Sequence, residues 1–316
     1  MVTRLIIQSS KRNLNQRNIF DPISKYYIVN QFMVSVWKPN SILKADSRDL
    51  SKIGKDKVAL TVTSPPYHNA INYQEHQRSN EWYRGTVGVS LESWIDEMRD
   101  VFSEVYKVTK PGGHCCIVIG NELVEEKTKL PLPAILLVEL TKKEIGWKFF
   151  EEIIWNKVTG GKKRFRVTVQ HPYPTYYYPN IMHEQIIILR KPPFSNVKNK
   201  KSKLKLNDLM KKEIANSVWH IAPVPPSYRK FHPAAFPEEI PYRLIQLYSN
   251  VGDLILDPFV GSGQTTKMAR FLKRKYIGVD KSAKYVKIAQ RRTMEQPSLR
   301  NMQLVPNWKK PEPLEF

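Results

Sequence analysis

Along this chain short, unbroken apolar runs alternate with stretches whose apolar residues recur every three or four positions, and the alternation lays out the elements. The short runs predict strands: Ser41 to Ala45 ending at Asp46, Val58 to Thr63, Cys115 to Ile119, Trp147 to Trp155, Glu184 to Leu189, Leu254 to Leu256 and Tyr276 to Val279. Leu91, Trp94, Ile95, Met98, Val101, Phe102 and Val105 keep helical spacing, which predicts an amphipathic helix to about Thr109, stopped by Lys110-Pro111-Gly112-Gly113. Further helices are expected over Pro133–Ile145 (closed by Gly146), Glu238–Ser249, Thr265–Leu272 and onward from Ala283. Strands and helices in alternation give an α/β chain with a mostly parallel, twisted sheet and helices on both faces. Residues 1–40 show no clean period, although Tyr26–Val29 and Phe32–Trp37 read as short strand-like segments. The tail after Pro297 is proline-rich and reads as extended, and there is no internal repeat.

The stretch around which the rest is organised is Thr61-Val62-Thr63-Ser64-Pro65-Pro66-Tyr67. Two prolines can neither donate to a ladder nor continue a helix, so the strand stops at Ser64. Beyond the strand lies a stiff loop of carbonyl acceptors, a hydroxyl and a flat ring. It suits a planar guest carrying an amino group, because the ring can stack while the oxygens accept the amino hydrogens. The polar, aromatic connection after it, residues 68–90, is longer than an ordinary loop and marks a functional segment.

A second anchor is Asp257-Pro258-Phe259-Val260-Gly261-Ser262-Gly263-Gln264-Thr265-Thr266, between an apolar strand and a helix. A doubly wound sheet binds its ligand at such a place, at the carboxyl ends of its strands. Gly261 and Gly263 let the backbone turn sharply and approach a ligand, and Thr265 can cap the next helix. Asp280 closes the next strand at roughly the 20-residue offset of an acid that grips ribose hydroxyls. No Walker lysine loop is present, since Lys267 lies too far past the second glycine, so a triphosphate is not expected.

Composition narrows the partner. The 316 residues are 41% hydrophobic, enough for one large domain with insertions or two modest ones. No apolar run approaches the roughly 20 residues of a membrane span. The amino terminus is too polar for a signal peptide, and a cytoplasmic location is expected. The 51 Lys+Arg against 29 Asp+Glu give a formal charge of +22, which points to a polyanion and first of all to nucleic acid. The cationic residues Lys198, Lys200, Lys201, Lys203 and Lys205 cluster within 191–212 and could contact phosphates; Tyr173 and Tyr176 to Tyr178 could contact phosphate and base, or simply pack. The two cysteines, Cys115-Cys116, lie in an apolar strand, and the histidines have no ligand spacing, so no disulfide framework and no metal are expected.

Asp-Pro-Phe-x-Gly-Ser-Gly-x-Thr together with Thr-Ser-Pro-Pro-Tyr resembles the amino-methylating DNA methyltransferases of restriction-modification systems. Asp46, Glu152 to Lys157, His183-Glu184-Gln185 and His232-Pro233-Ala234-Ala235-Phe236-Pro237 are similar too, so the resemblance runs from about residue 41 to 291. With the catalytic loop first and the glycine turn near the carboxyl terminus, the order resembles the β-type permutation of that family. The resemblance implies a circularly permuted class I methyltransferase fold with S-adenosyl-L-methionine as cofactor and double-stranded DNA as partner. It also implies a possible cognate restriction endonuclease acting on the same site. The corresponding sections are an extension (1–40), a catalytic half (41–156), a DNA-recognition and basic insertion that includes one strand (157–217), a cofactor half (218–294) and a tail (295–316).

Under that resemblance Asp280 holds the cofactor's ribose hydroxyls and Asp46 its adenine amino group. Asp257, Pro258, Phe259, Gly261, Ser262, Gly263 and Thr265 surround its sugar and methionine, and the wall formed by His232 to Pro237 includes Phe236 and Pro237. Gln264 departs from the threonine or asparagine of many members and is expected to be tolerated. The catalytic group is Ser64, Pro65, Pro66 and Tyr67. Serine at the head of that loop is what cytosine-N4 members carry, where adenine-N6 members carry Asp or Asn. Methylation at cytosine carbon 5 would need a nucleophilic cysteine in a Pro-Cys loop, and Cys115-Cys116 reads as core instead. Adenine N6, an amino group in RNA, or a non-catalytic DNA-binding protein on the same scaffold are the rival readings. Recognition sequence and oligomeric state are not legible.

Overall fold

A computed structural model describes residues 36–68, 90–123, 129–157, 182–194, 213–225 and 235–297, with positions 202, 204, 209, 227 and 228. All belong to the unit Val36–Phe316. Its centre is an eight-stranded sheet built from β1 (Ser41–Lys44), β2 (Val58–Thr63), β3 (Thr109–Ile119), β6 (Lys148–Asn156), β7 (His183–Arg190), β8 (Val218–His220), β9 (Leu254–Asp257) and β10 (Lys275–Asp280). In space the order is β1-β10-β9-β2-β3-β7-β6-β8, and β4 (Glu122–Leu123) pairs with β5 (Lys129–Leu130) as a separate two-stranded sheet. Every neighbouring pair of the large sheet is parallel except the two made by β7. The permutation is visible in the first pairing, where β1, early in the chain, lies beside β10, near its end, with Leu43 opposite Val279.

Helices cover both faces because the strands are apolar on both. In β3, Cys116 and Val118 join one core with Ile240, Leu244, Met268 and Ala289. Cys115, Ile117 and Ile119 join the other with Met98, Phe102, Leu132 and Leu136. The first face is covered by α3 (Glu239–Tyr248), α4 (Gln264–Phe271) and α5 (Ala283–Thr293), the second by α1 (Leu91–Val108) and α2 (Leu132–Thr141). Continuous apolar strands sandwiched this way are the signature of a buried parallel sheet.

Three details differ from the sequence reading. Helix α2 ends at Thr141 rather than Ile145; the chain then turns, with the Gly146 amide bonding Lys142 O and Gly146 at φ 93°. Strand β3 already begins at Thr109 and carries Pro111-Gly112-Gly113 within it, because the Gly112 amide donates to Lys191 O across to β7's end. Strand β8 was not anticipated; it is three residues long and pairs with β6 through Trp155 and Trp219.

Candidate active site

β1, β10, β9 and β2 are consecutive in the sheet and parallel, so their carboxyl ends bring Asp46, Asp280, the Asp257–Gly263 turn and the Ser64 loop to one edge. A direct tie joins the last two. The Thr63 hydroxyl donates to Asp257 Oδ1 at 2.7 Å, and the Thr265 hydroxyl donates to Val62 O at 3.0 Å. Asp257 is 2% exposed. Burial pushes its pKa up to about 6, against the opposing hydrogen bond from Thr63. Thr265 therefore does not cap α4. The N-cap is Gly263, which makes no side-chain cap bond, and the threonine clasps β2 instead.

The proline loop is fixed from outside as well as by its own residues. Pro65 is buried, while Ser64, Pro66 and Tyr67 are half-buried. The Trp94 indole donates to Pro66 O at 2.8 Å, which ties the loop to α1. The Gly120 amide donates to the Tyr67 hydroxyl at 2.8 Å and fixes the ring's far end just past β3. A Cβ on Gly120 would stand 2.8 Å from Glu184 Cγ and 3.3 Å from Tyr67 Oη, so glycine is required by packing there. Glu184 pairs with Lys157, whose ammonium lies 4.8 Å from the Trp155 ring centre. His68 and Glu122, both buried, face each other at 3.6 Å beside the loop.

The glycine turn is held by carboxylates. Asp280 Oδ2 accepts from the Gly261 amide at 3.1 Å and Oδ1 from the Ser282 amide at 2.8 Å, and burial raises its pKa. Gly263 has φ 85°, and a Cβ there would come within 3.0 Å of Ala289 Cα, so α4 and α5 close together only over a glycine. The Ser47 hydroxyl donates to Pro258 O, and Phe259 packs 6.4 Å from the Phe102 ring. Asp46, at the end of β1, accepts from Arg48 through its guanidinium and its backbone amide, which hold its pKa down at about 2. Phe236 and Pro237 are buried just before α3. Behind the turn, Glu238 accepts from Lys267 at 2.7 Å and from Arg292 at 3.3 Å, and Arg292 also donates to Ser262 O.

One polar atom at the turn lacks a partner. The Ser262 hydroxyl donates to Gln264 Oε1 at 2.8 Å, but the buried Gln264 Nε2 makes no hydrogen bond. A buried unmade donor costs about 1–3 kcal/mol, so this amide fits a turn completed by a ligand's acceptor. Cys115 and Cys116 are fully buried and burial raises both thiols, which rules out a nucleophilic role and leaves them as core. Among the described residues no group of three or more His, Cys, Asp or Glu could hold a metal, and no helix is long and apolar enough to cross a membrane. His232 to Ala234, residues 69–89 and the tyrosines at 173–178 lie outside the described residues. Sequence reasoning placed Thr63 in the motif but missed its bond to Asp257, and it missed Trp94 and Gly120 as ties of the loop. Trp94 read only as core face, and nothing in the sequence pairs Thr63 with Asp257.

Comparison with known proteins matches this geometry to a class. Residues 58–291 fit the family model described as DNA methylase. The chain is 30% identical over 276 residues to the type II methyltransferase M.MjaI of Methanocaldococcus jannaschii, covering 79% of this chain and 90% of that protein. It is 28% identical to M.BglI of Bacillus subtilis, over 81% and 86% of the two chains. A structure of TTHA0409 from Thermus thermophilus, complexed with S-adenosyl-L-methionine, superposes with a TM-score of 0.62 at 27% identity, over 80% and 94% of the two chains. PvuII DNA methyltransferase shares the fold, with a TM-score of 0.61 at 17% identity over 84% and 91%. The chain belongs to the N6/N4 DNA methylase family, with a class I methyltransferase fold and S-adenosyl-L-methionine as cofactor.

Proposed function

We propose that this chain methylates the exocyclic N4 of cytosine in duplex DNA, on a base turned out of the helix, as the modification enzyme of a restriction-modification pair. The observation that carries the reading is Ser64 at the head of a proline loop fixed on three sides, by Thr63–Asp257, Trp94–Pro66 and Gly120–Tyr67. An amino group conjugated to a base ring is a poor nucleophile because its lone pair is spread into the ring. Ser64 Oγ and the Pro65 carbonyl accept its hydrogens, favour a pyramidal nitrogen and return the lone pair to it. Tyr67 stacks on the extruded base and offsets part of an unstacking cost of a few kcal/mol. S-adenosyl-L-methionine supplies an electrophilic methyl group. The nitrogen becomes acidic once alkylated, so hydrogen-bond acceptors rather than a strong base are enough in the loop.

On the cofactor side, Asp280 takes the ribose hydroxyls and Asp46 the adenine amino group. The backbone of Gly261, Ser262 and Gly263 lies against the sugar and methionine, with Asp257, Pro258, Phe259 and Thr265 holding that turn, and Phe236 and Pro237 form a wall. In this reading Asp257 and Thr265 act through the turn, since both side chains are buried and engaged with β2. Holding both reactants at one sheet edge turns a bimolecular encounter into a positioned one. PvuII DNA methyltransferase, the structural relative, is cytosine-N4-specific; at its level of identity that likeness speaks for the fold, and Ser64 carries the choice of base.

The test is transfer of a labelled methyl group to DNA, followed by digestion and chromatography of the nucleosides against standards. Chromatography is needed because N4- and C5-methylcytosine have equal mass. N4-methylcytosine is the expected product. N6-methyladenine would keep fold and mechanism but show that Ser64 does not select the base.

A further inference from the structure

Among the described residues the two edges of the sheet differ in how their charges are paired. At the carboxyl edge, beside the site, Asp46 pairs with Arg48 and Lys281, Glu184 pairs with Lys157, and Glu122 faces His68. The amino edge is formed by the loops that lead into the parallel strands, and it presents Lys55, Lys57, Lys148, Lys273 and Lys275, all exposed. None of these five is held in an ion pair, unlike Lys107, Lys110 and Lys191, which Glu104, Asp253 and Asp56 neutralise.

Lys191 and Ser202 lie at this edge too. Lys191 is buried where β7 ends, opposite Gly113. Farther along, the Val251 amide, in the turn before β9, donates to Ser202 Oγ at 2.8 Å. Ser202 and Leu204 also line a cleft of about 340 Å³ with Lys110, Arg190, Tyr248 and Asp253. Lys191 and Ser202 are thus both held at the edge away from Ser64. From Gly113 to Gly120, where Tyr67 is held, β3 runs roughly 23 Å at 3.3 Å per residue.

We infer that the amino edge is a second, sequence-independent binding surface for the phosphate backbone of duplex DNA, engaging a segment other than the one in the catalytic cleft. It goes beyond the methylation reading, which needs only the carboxyl edge. One short duplex cannot serve both edges, because a bend of 40–90° alone costs about 1–6 kcal/mol and reaching the far edge needs a reversal of direction. Unpaired, exposed lysines release condensed counterions on meeting phosphates, and that release carries no sequence information. The surface gives the enzyme a hold on neighbouring DNA while its cleft is empty or occupied.

The experiment uses the full chain with bound S-adenosylhomocysteine and short duplexes of random sequence, some labelled with a donor dye and some with an acceptor. Binding stoichiometry and energy transfer are followed against salt, for the wild type and for a variant carrying Lys55→Ser, Lys57→Ser, Lys148→Ser, Lys273→Ser and Lys275→Ser. The wild type is expected to bind two duplexes per chain and bring them together. The variant should bind one, lose energy transfer, and show a shallower salt dependence by about 0.9 in log–log slope for each lysine that meets a phosphate. One duplex per wild-type chain, or a variant with unchanged slope and transfer, overturns the inference. Circular dichroism establishes that the variant folds. Methyl transfer to long DNA at low salt is measured in parallel: its retention in the variant separates this surface from the catalytic reading, and its absence in the wild type counts against that reading alone.

Discussion

The proline loop and the glycine turn stand side by side at the ends of adjacent strands, and they are rigid for opposite reasons. Pro65 and Pro66 restrict their own backbone, and Trp94 and Gly120 add ties from two further elements. Gly261 and Gly263 restrict nothing, so the turn takes its shape from the Asp280 carboxylate and from close packing on Ala289. The difference suits the work proposed for each. A loop that must aim two acceptors at one nitrogen profits from stiffness, whereas a turn that must bring backbone against a ligand has to be free of side chains.

The sharpest way to separate the two is Ser64→Ala. It should lower methyl transfer by at least about 100-fold, the usual scale for one lost polar group aimed at a transition state, with cofactor affinity unchanged by calorimetry. A folded variant that no longer binds cofactor would show that loop and turn are not separable. Next in size is Asp257, the tie between them. Its folded pKa lies above the ordinary carboxylate value, so the stability it contributes is complete below about pH 4 and lost as pH rises through 6. Asp257→Asn removes that loss. Its stability relative to wild type should rise by up to about 3 kcal/mol between pH 4 and pH 7 in denaturant melts, and a gap that ignores pH would contradict the buried carboxyl.

Asp280→Ala tests the turn alone. Removing a carboxylate that accepts from Gly261 and Ser282 should weaken cofactor binding by about 2 kcal/mol, or roughly 30-fold, in calorimetry. An unchanged affinity would remove Asp280 from the binding site. The smallest effect is expected from Trp94→Phe, which keeps the ring's packing and deletes the bond to Pro66 O. A loss of about 1 kcal/mol, seen as a several-fold slower turnover at unchanged cofactor affinity, would show that α1 helps aim the loop. Weaker cofactor binding in that variant would show that the tie serves the turn as well.

Most of the scaffold was legible because period and punctuation agree. Helix α1 and strands β2, β9 and β10 fall where apolar spacing and the Gly, Pro and Asp residues place them, and the two motifs meet at one edge of the sheet. What escaped was long-range. Thr265 read as a cap because a threonine at a helix start usually bonds its own helix, yet it bonds Val62, brought near by the sheet. Gly120 carries no sign in the sequence that Tyr67 and Glu184 converge on it. Strand β8 is too short to show a period.

The bond from Thr63 to Asp257 spans 194 positions of sequence. On the ribosome the Ser64–Tyr67 loop is therefore made early, and the strand that braces it, with the Asp257–Gly263 turn, only late. A chain interrupted before Leu254 carries Ser64, Pro65, Pro66 and Tyr67 but has neither β9 to brace them nor the turn proposed to seat the methyl donor. Under the proposed function, a chain that stops short of β9 lacks both the brace of the loop and the turn beside it, and it should transfer no methyl group to DNA.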